Sequence, residues 1–277
     1  MTPAPPLACT VRGCHQPLTR RGAAYACDRG HTFDLARSGY LNLLQPQDRR
    51  SLDAGDHREA VAARSRLLAQ GVGGAVIDAV ATAAAGACSS EPAVVVDLGC
   101  GAGELLGRLA DRPGITGIGF DLSTDAAARA ARRFPAQTWV VANADRRLPL
   151  LDGCARVVVS VHARRNPAES RRALEPEGLL IVAVPAADDL HELRALVQGE
   201  AVSRNRAVAV IAEHDAAFAI SEHRTVRETH VMSGAALDDL LIATYRSARG
   251  RRVPTEAAQS GLTVTLASEV LMFTPRG

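Results

Sequence analysis

The stretch from Val94 to Gly103, Val-Val-Val-Asp-Leu-Gly-Cys-Gly-Ala-Gly, constrains this chain more than any other. A β-branched apolar run reads as a buried strand, and the glycines let the backbone turn tightly and come close to a ligand. Glu104-Leu105-Leu106-Gly107-Arg108-Leu109 then resumes at helical period. Strand, glycine turn and helix start together read as a nucleotide-cofactor loop. A second apolar run, Gly117-Ile118-Gly119-Phe120, ends at Asp121, a carboxylate placed to accept both hydroxyls of a ribose at the end of the neighbouring strand.

Around this loop, apolar runs alternate with helical stretches. Val94–Val96, Ile115–Phe120, Thr138–Val141, Val157–Val161 and Leu179–Val184 read as strands, with helices at Ala126–Phe134 and Ala168–Leu174 between some of them. The expected fold is α/β, a parallel sheet with crossover helices. Two helices, broken at Gly71-Val72-Gly73-Gly74, precede the loop between Asp56 and Ala87. Beyond it are expected a helix over Leu190–Val208, a strand over Thr225–Met232, a helix over Ala235–Tyr245 and a last strand over Leu262–Phe273. At 277 residues, the chain is long enough for one large domain plus an appendage. The expected division is 1–45, a helical linker 46–90, and the α/β domain 91–277.

Bulk composition excludes more than it identifies. No apolar stretch reaches membrane-span length and residues 1–6 lack signal-peptide character, so a soluble, cytoplasmic protein with no membrane partner is expected. The formal charge of +2 is too small for a general nucleic-acid binder, although all basic residues are arginines and several cluster. Six cysteines without a secretion signal point to metal ligands or buried thiols rather than disulfides.

Asp97 narrows the choice of cofactor. A carboxylate just before the glycines would repel a dinucleotide's pyrophosphate, whereas S-adenosylmethionine brings a sulfonium and an ammonium. The segment Asp97–Gly103 resembles the first motif of class I (Rossmann-like) S-adenosylmethionine-dependent methyltransferases, and Asp121 matches that family's ribose-binding acid. Asn143-Ala144-Asp145 resembles its adenine-edge segment, while Leu148-Pro149-Leu150 and Glu175-Pro176-Glu177-Gly178 resemble its flanking turns. The resemblance implies cofactor contacts from Asp97, Gly99, Gly101, Gly103, Leu105, Leu106, Asp121, Leu122, Asn143, Ala144, Asp145 and Asp189.

Residues 1 to 45 are too poor in long apolar runs to build a core unaided. Cys9, Cys14, Cys27 and His31 are spaced as two turns that can close a tetrahedral zinc site, with Gly13 and Gly30 easing the bends. Four protein ligands make such a site structural rather than catalytic. Cys88, Cys100 and Cys154 lie apart and read as ordinary thiols.

Read continuously, Cys14–Leu18, Tyr25–Cys27, His31–Asp34, Gly39–Leu44 and Asp53–Asp56 resemble the RlmA-type 23S rRNA (guanine-N1) methyltransferases. The likeness continues through Ala63-Arg64, Leu67-Leu68, Gly71, the cofactor motifs, Pro185, Leu190 and Leu193. This family includes macrolide-resistance enzymes of antibiotic producers. The resemblance implies a small N-terminal zinc-binding, RNA-recognition domain on a methyltransferase domain, a homodimer, and a guanine in a 23S rRNA hairpin as acceptor. Three departures leave the guanine and its ring atom open. Four residues, not two, separate Cys9 and Cys14; His162-Ala163-Arg164 stands where an aromatic-Ala-Pro segment is usual; and Asp189 and Ala243-Thr244-Tyr245 replace a His and a Met-Thr-Pro segment.

Removing the N1 proton of guanine calls for a base or acceptor, and His162, at the end of the Val157–Val161 strand, is the leading candidate, ahead of Asp56 and Asp145. Arg20-Arg21, Arg29, Arg49-Arg50, Arg164-Arg165 and the tract Arg246, Arg249, Arg251 and Arg252 are candidate phosphate contacts. Two rival readings stay open: a small-molecule methyltransferase of an antibiotic pathway, which calls for an apolar, closed acceptor pocket, and a zinc-dependent RNA-binding protein without catalysis.

Overall fold

The computed structural model describes residues 4–48, 55–88, 92–198, 205–244 and 261–277. It opens with a three-stranded antiparallel ribbon, β1 (Thr19–Arg21), β2 (Ala24–Ala26) and β3 (Thr32–Asp34). The short β4 (Leu41–Asn42) leaves the ribbon and pairs in parallel with β7 (Thr138–Val141). The segment 1–45 therefore already contains one strand of the large sheet.

Two helices, α1 (Arg58–Ala69) and α2 (Gly74–Ala87), lead to β5 (Ala93–Leu98) and the short α3 (Glu104–Arg108). There follow β6 (Ile115–Asp121), α4 (Thr124–Arg133), β7, β8 (Ala155–Val161), α5 (Pro167–Ala173) and β9 (Leu174–Pro185). The chain ends with α6 (His191–Gln198), α7 (Arg206–His214), β10 (Phe218–Met232), α8 (Gly234–Thr244) and β11 (Leu262–Pro275). The eight-stranded sheet runs β10-β11-β9-β8-β5-β6-β7-β4. From β5 the chain builds outward to β6 and β7, then returns to the other side for β8 and β9. This reversal opens a crevice at the carboxyl ends of β5 and β8, where open α/β sheets bind ligands.

The strands expected between Val94 and Val184 form a parallel sheet, and the two later strands add an antiparallel edge to it. From β4 to β9 neighbours are parallel, but β11 runs antiparallel to both β9 and β10. β10 also starts seven residues before the expected Thr225, because Ser221, Glu222, His223 and Arg224 are polar residues on an edge strand and show no apolar alternation. The single helix expected over Leu190–Val208 is two, the second capped by Asn205, whose side chain accepts from Val208 N. No single helix among the described residues is long and apolar enough to cross a membrane.

Alternation along β5 divides the core. Val96 and Leu98 join Ile118, Phe120 and Val140 on one face, together with Leu7, Leu18, Tyr25, Leu41 and Leu43 of the ribbon segment. Val95 packs on the other face with Leu105, Leu106, Trp139, and Val80 and Ala84 of α2. The ribbon is bonded to the sheet domain as well: Ala8 N donates to Pro149 O at 3.0 Å and Leu151 N to Pro6 O at 3.0 Å, around a bridge between Leu7 and Leu150. Ribbon and sheet thus share one apolar core.

Gly103 shows how tightly the loop is set into that core. Its φ is +85°, and a Cβ there would lie 2.5 Å from the Trp139 ring and 3.0 Å from the Ala130 methyl. Gly103→Ala is expected to cost about 2–4 kcal/mol in urea unfolding, from strain and overpacking together.

Candidate active site and metal centre

The carboxyl ends of β5, β6, β7 and β8 surround a cavity of about 1320 Å³. Asp97, Gly99, Gly101, Leu105, Asp121, Leu122, Asn143, Ala144, Asp145, His162 and Asp189 all line it. Gly103 and Leu106, also expected to contact the cofactor, are not among the residues that line the cavity. Gly103 backs onto Trp139, and Leu106 lies wholly inside the core.

Asp97 is only 3% exposed and has no ion-pair partner among the described residues. Burial first, then the nearby carboxylates of Asp121 and Glu104, push it up from 3.8 to about 8. Asp121 is fixed by two backbone donors, Gly101 N to Oδ2 at 3.0 Å and Ser123 N to Oδ1 at 2.8 Å. Burial raises its pKa too, although those two amides oppose the rise. Sequence reading passed over Glu104, the third acid, which accepts from Arg133 at 2.6 Å and from Ser65 at 3.4 Å. A concave site holding an unneutralised buried acid favours a cationic ligand, so the donor set fits S-adenosylmethionine.

Neighbouring segments stiffen this wall. Asn143 Oδ1 accepts from Asp145 N at 2.9 Å, turning the chain after β7. Gly55, with φ +98°, docks on the turn after β6, where a Cβ would come within 2.9 Å of Ser123 N. Ser123 Oγ donates to Asp56 O at 3.0 Å and accepts from Ala126 N as the cap of α4. Arg64 donates to the Asp56 carboxylate at 2.9 Å and to Ala243 O at 3.1 Å, tying α1 to α8 across the cavity. The other expected positions of the resemblance, Asp53, Ala54 and Tyr245, lie outside the described residues.

At the far end stands His162, in the left-handed region with φ 52°. Its Nε2 lies 2.9 Å from Ser268 Oγ on β11. His162 is exposed to the cavity, and both the enclosing protein and the nearby Arg64 and Arg206 lower its pKa from the usual imidazole value. Such a neutral ring is a poor proton acceptor, which weakens the expectation of a general base. Asp56 and Asp145 are engaged with Arg64 at 2.9 Å and Arg164 at 3.3 Å. Asp189 belongs to this end rather than to the glycine loop, since Oδ1 accepts from Ala267 N at 3.0 Å and Oδ2 lies 3.6 Å from Arg194. Ser268 and Arg206 had no sequence signal; the serine follows His162 by 106 residues.

Cys9, Cys14, Cys27 and His31 converge, every ligand atom within 4.8 Å of the others. Cys14 and Cys27 sulfurs are 3.8 Å apart, and His31 Nδ1 is 3.5 Å from Cys9 Sγ and 3.4 Å from Cys27 Sγ. A tetrahedron built on zinc–sulfur and zinc–nitrogen bonds has edges of about 3.8 and 3.5 Å. The cluster therefore fits Zn2+. The wide gap between Cys9 and Cys14 is absorbed by a turn in which Cys14 N donates to Val11 O at 2.9 Å, with Gly13 and His15 both at positive φ. Cys100 and Cys154 are raised by burial, Cys154 to about 11, and stay protonated thiols.

Of the arginine candidates, Arg20 and Arg21 are exposed on β1, while Arg29 donates to Gly13 O at 3.2 Å and Arg165 pairs with Glu213 at 2.7 Å. Arg49, Arg50 and the tract from Arg246 to Arg252 lie outside the described residues.

Comparison with known proteins agrees with both sites. Residues 8–52 match the zinc ribbon described as "RlmA, N-terminal", and residues 95–178 match a methyltransferase domain. A Streptomyces fradiae protein named 23S rRNA (guanine(748)-N(1))-methyltransferase is 41% identical over 182 residues, covering 65% of this chain and 64% of its own length. A Micromonospora griseorubida protein, named as a candidate 23S rRNA (guanine-N(1)-)-methyltransferase, is 40% identical over 207 residues and 68% of each chain. The match thus spans about two thirds of these relatives. Among solved structures, YcgJ of Bacillus subtilis superposes with a TM-score of 0.51 over 73% of this chain and 98% of its own, at 14% identity, a likeness of fold.

Asp97 links binding and stability with a definite sign. Its folded pKa lies above its unfolded value, so the ligand-free protein binds more protons than the unfolded chain between pH 4 and 8, and this group's contribution falls as pH rises through that window. Asp97→Asn is expected to flatten the decline, stabilise the ligand-free protein at pH 7 by on the order of 2–4 kcal/mol, and abolish S-adenosylmethionine binding by calorimetry. For the ribbon, elemental analysis is expected to find about one zinc per chain, falling to a small fraction in Cys14→Ser with a lowered melting temperature.

Proposed function

Since the chain belongs to the family of RlmA-type 23S rRNA (guanine-N1) methyltransferases, we propose that it methylates a guanine of 23S rRNA. The observation that carries this reading is the acidic cleft around Asp97, Asp121 and Glu104, whose far end is rimmed by arginines. Bound S-adenosylmethionine would supply the methyl group as a sulfonium electrophile to a guanine nitrogen, whose proton would leave to water. Asp97 and Glu104 would balance its positive charge, Asp121 would accept its ribose hydroxyls, and the Asn143–Asp145 turn would border its adenine. The protein's work is to hold acceptor and methyl in line and exclude water from between them.

Arg164, Arg194 and Arg206 line the acceptor end, as expected for an entering polyanion, whereas a small-molecule enzyme calls for a closed apolar pocket. The acceptor is a guanine in a hairpin, with N1 as the ring atom. Residues 1–45 serve as the RNA-recognition module and residues 91–277 as the catalytic one. A homodimer in the cytoplasm follows from the family pattern.

The test incubates the protein with methyl-labelled S-adenosylmethionine and, separately, naked 23S rRNA, large ribosomal subunits or a metabolite extract. Label is expected in the rRNA, with reverse transcription stopping at one guanine, because methyl on N1 blocks base pairing. Label confined to small molecules would overturn the reading.

A further inference from the structure

We propose that His162 recognises the acceptor guanine through its O6, as a neutral hydrogen-bond donor whose tautomer is set by Ser268. This deepens the reading above and rests on it.

The geometry fixes the histidine from three sides. Its backbone lies in the left-handed region, its N–H donates to Ala183 O at 2.9 Å, and its Nε2 lies 2.9 Å from Ser268 Oγ. Ser268 is buried, and its hydroxyl has no second partner among the described residues. Ser268 borders the cavity with little exposure, and if Nε2–H donated to that oxygen the serine proton would have no protein acceptor among the described residues, an arrangement that folded structures disfavour. The satisfied arrangement has the hydroxyl donating to Nε2. The ring's single proton then sits on Nδ1, which has no partner among the described residues, while the ring lines the cavity. Arg64 and Arg206 nearby disfavour a second proton on the ring.

A fixed N–H donor selects for an acceptor. Guanine offers O6 beside N1, where adenine carries an amino donor. As N1 loses its proton, negative charge spreads onto O6, so a donor there binds more strongly as the reaction advances. His162 is thus a catalytic residue that stabilises charge, and Ser268 is a positioning residue that acts through it. The proton itself passes to water.

Long-range 1H–15N spectra of the zinc-loaded full chain, labelled at histidine nitrogen, read the tautomer directly, with His162 assigned by its loss in His162→Ala. The Nδ1–H pattern is expected at pH 7, and Ser268→Ala is expected to admit the Nε2–H form while Ser268→Thr preserves the original. With 23S rRNA as acceptor, His162→Ala and Ser268→Ala are expected to lower kcat by about 10- to 100-fold with KM for S-adenosylmethionine unchanged, and Ser268→Thr to restore most of it. An Nε2–H pattern in the unmutated protein, or full activity in His162→Ala, overturns the assignment. Failure of the unmutated chain to methylate any rRNA overturns the activity on which it rests, whereas normal methylation with the wrong tautomer overturns only the role of His162.

Discussion

A nearly buried carboxylate with no ion-pair partner among the described residues is the constraint around which this molecule is arranged. Asp97 ends the central strand, and two further acids stand close enough to discourage its ionisation. Folding places this strained group at the one point where the strand order reverses. Much of the surrounding architecture holds that point still: Gly101 and Ser123 amides clamp Asp121, Gly55 docks on Ser123, and Arg64 bridges α1 to α8. The uncompensated acid becomes favourable only when a cation enters, so ligand affinity and weakness of the empty protein have the same origin.

The two ends of the cavity use opposite electrostatics. Carboxylates dominate beside the glycine loop; at the other end Arg64 and Arg206 face His162, and Arg194 and Arg164 lie beside Asp189 and Asp145. A cationic cofactor and an anionic acceptor therefore meet from opposite directions, each attracted to its own end. The histidine lies among the arginines and stays neutral, which directs its chemistry to hydrogen bonding rather than proton uptake.

Much of this was legible in the sequence, for identifiable reasons. The Val94–Gly103 segment carries strand, turn and helix signals within one window, and the cysteine spacing is local, so cofactor loop and ribbon could be read directly. That Gly103 backs onto Trp139 and that Leu106 is wholly buried could not be read there, because a glycine at a ligand and a glycine under a tryptophan have the same sequence signature. The two edge strands were legible but their antiparallel direction was not, because β10 faces solvent along much of its length and lacks a buried stripe. Ser268 could not be found from sequence, since it meets His162 only when β11 is inserted beside β9.

The two-residue strand β4 has a consequence for synthesis. Leu41 and Asn42 pair with Val140 and Val141, and Leu7 bridges to Leu150, so the ribbon emerges from the ribosome roughly a hundred residues or more ahead of the surfaces that cover it. During that interval Leu7, Leu41 and Leu43 have no sheet to bury them, and local metal ligation by Cys9, Cys14, Cys27 and His31 is the means of ordering the segment early. Metal ligation would thus act in time as well as in space, holding the ribbon in shape until the strand that covers it has been made.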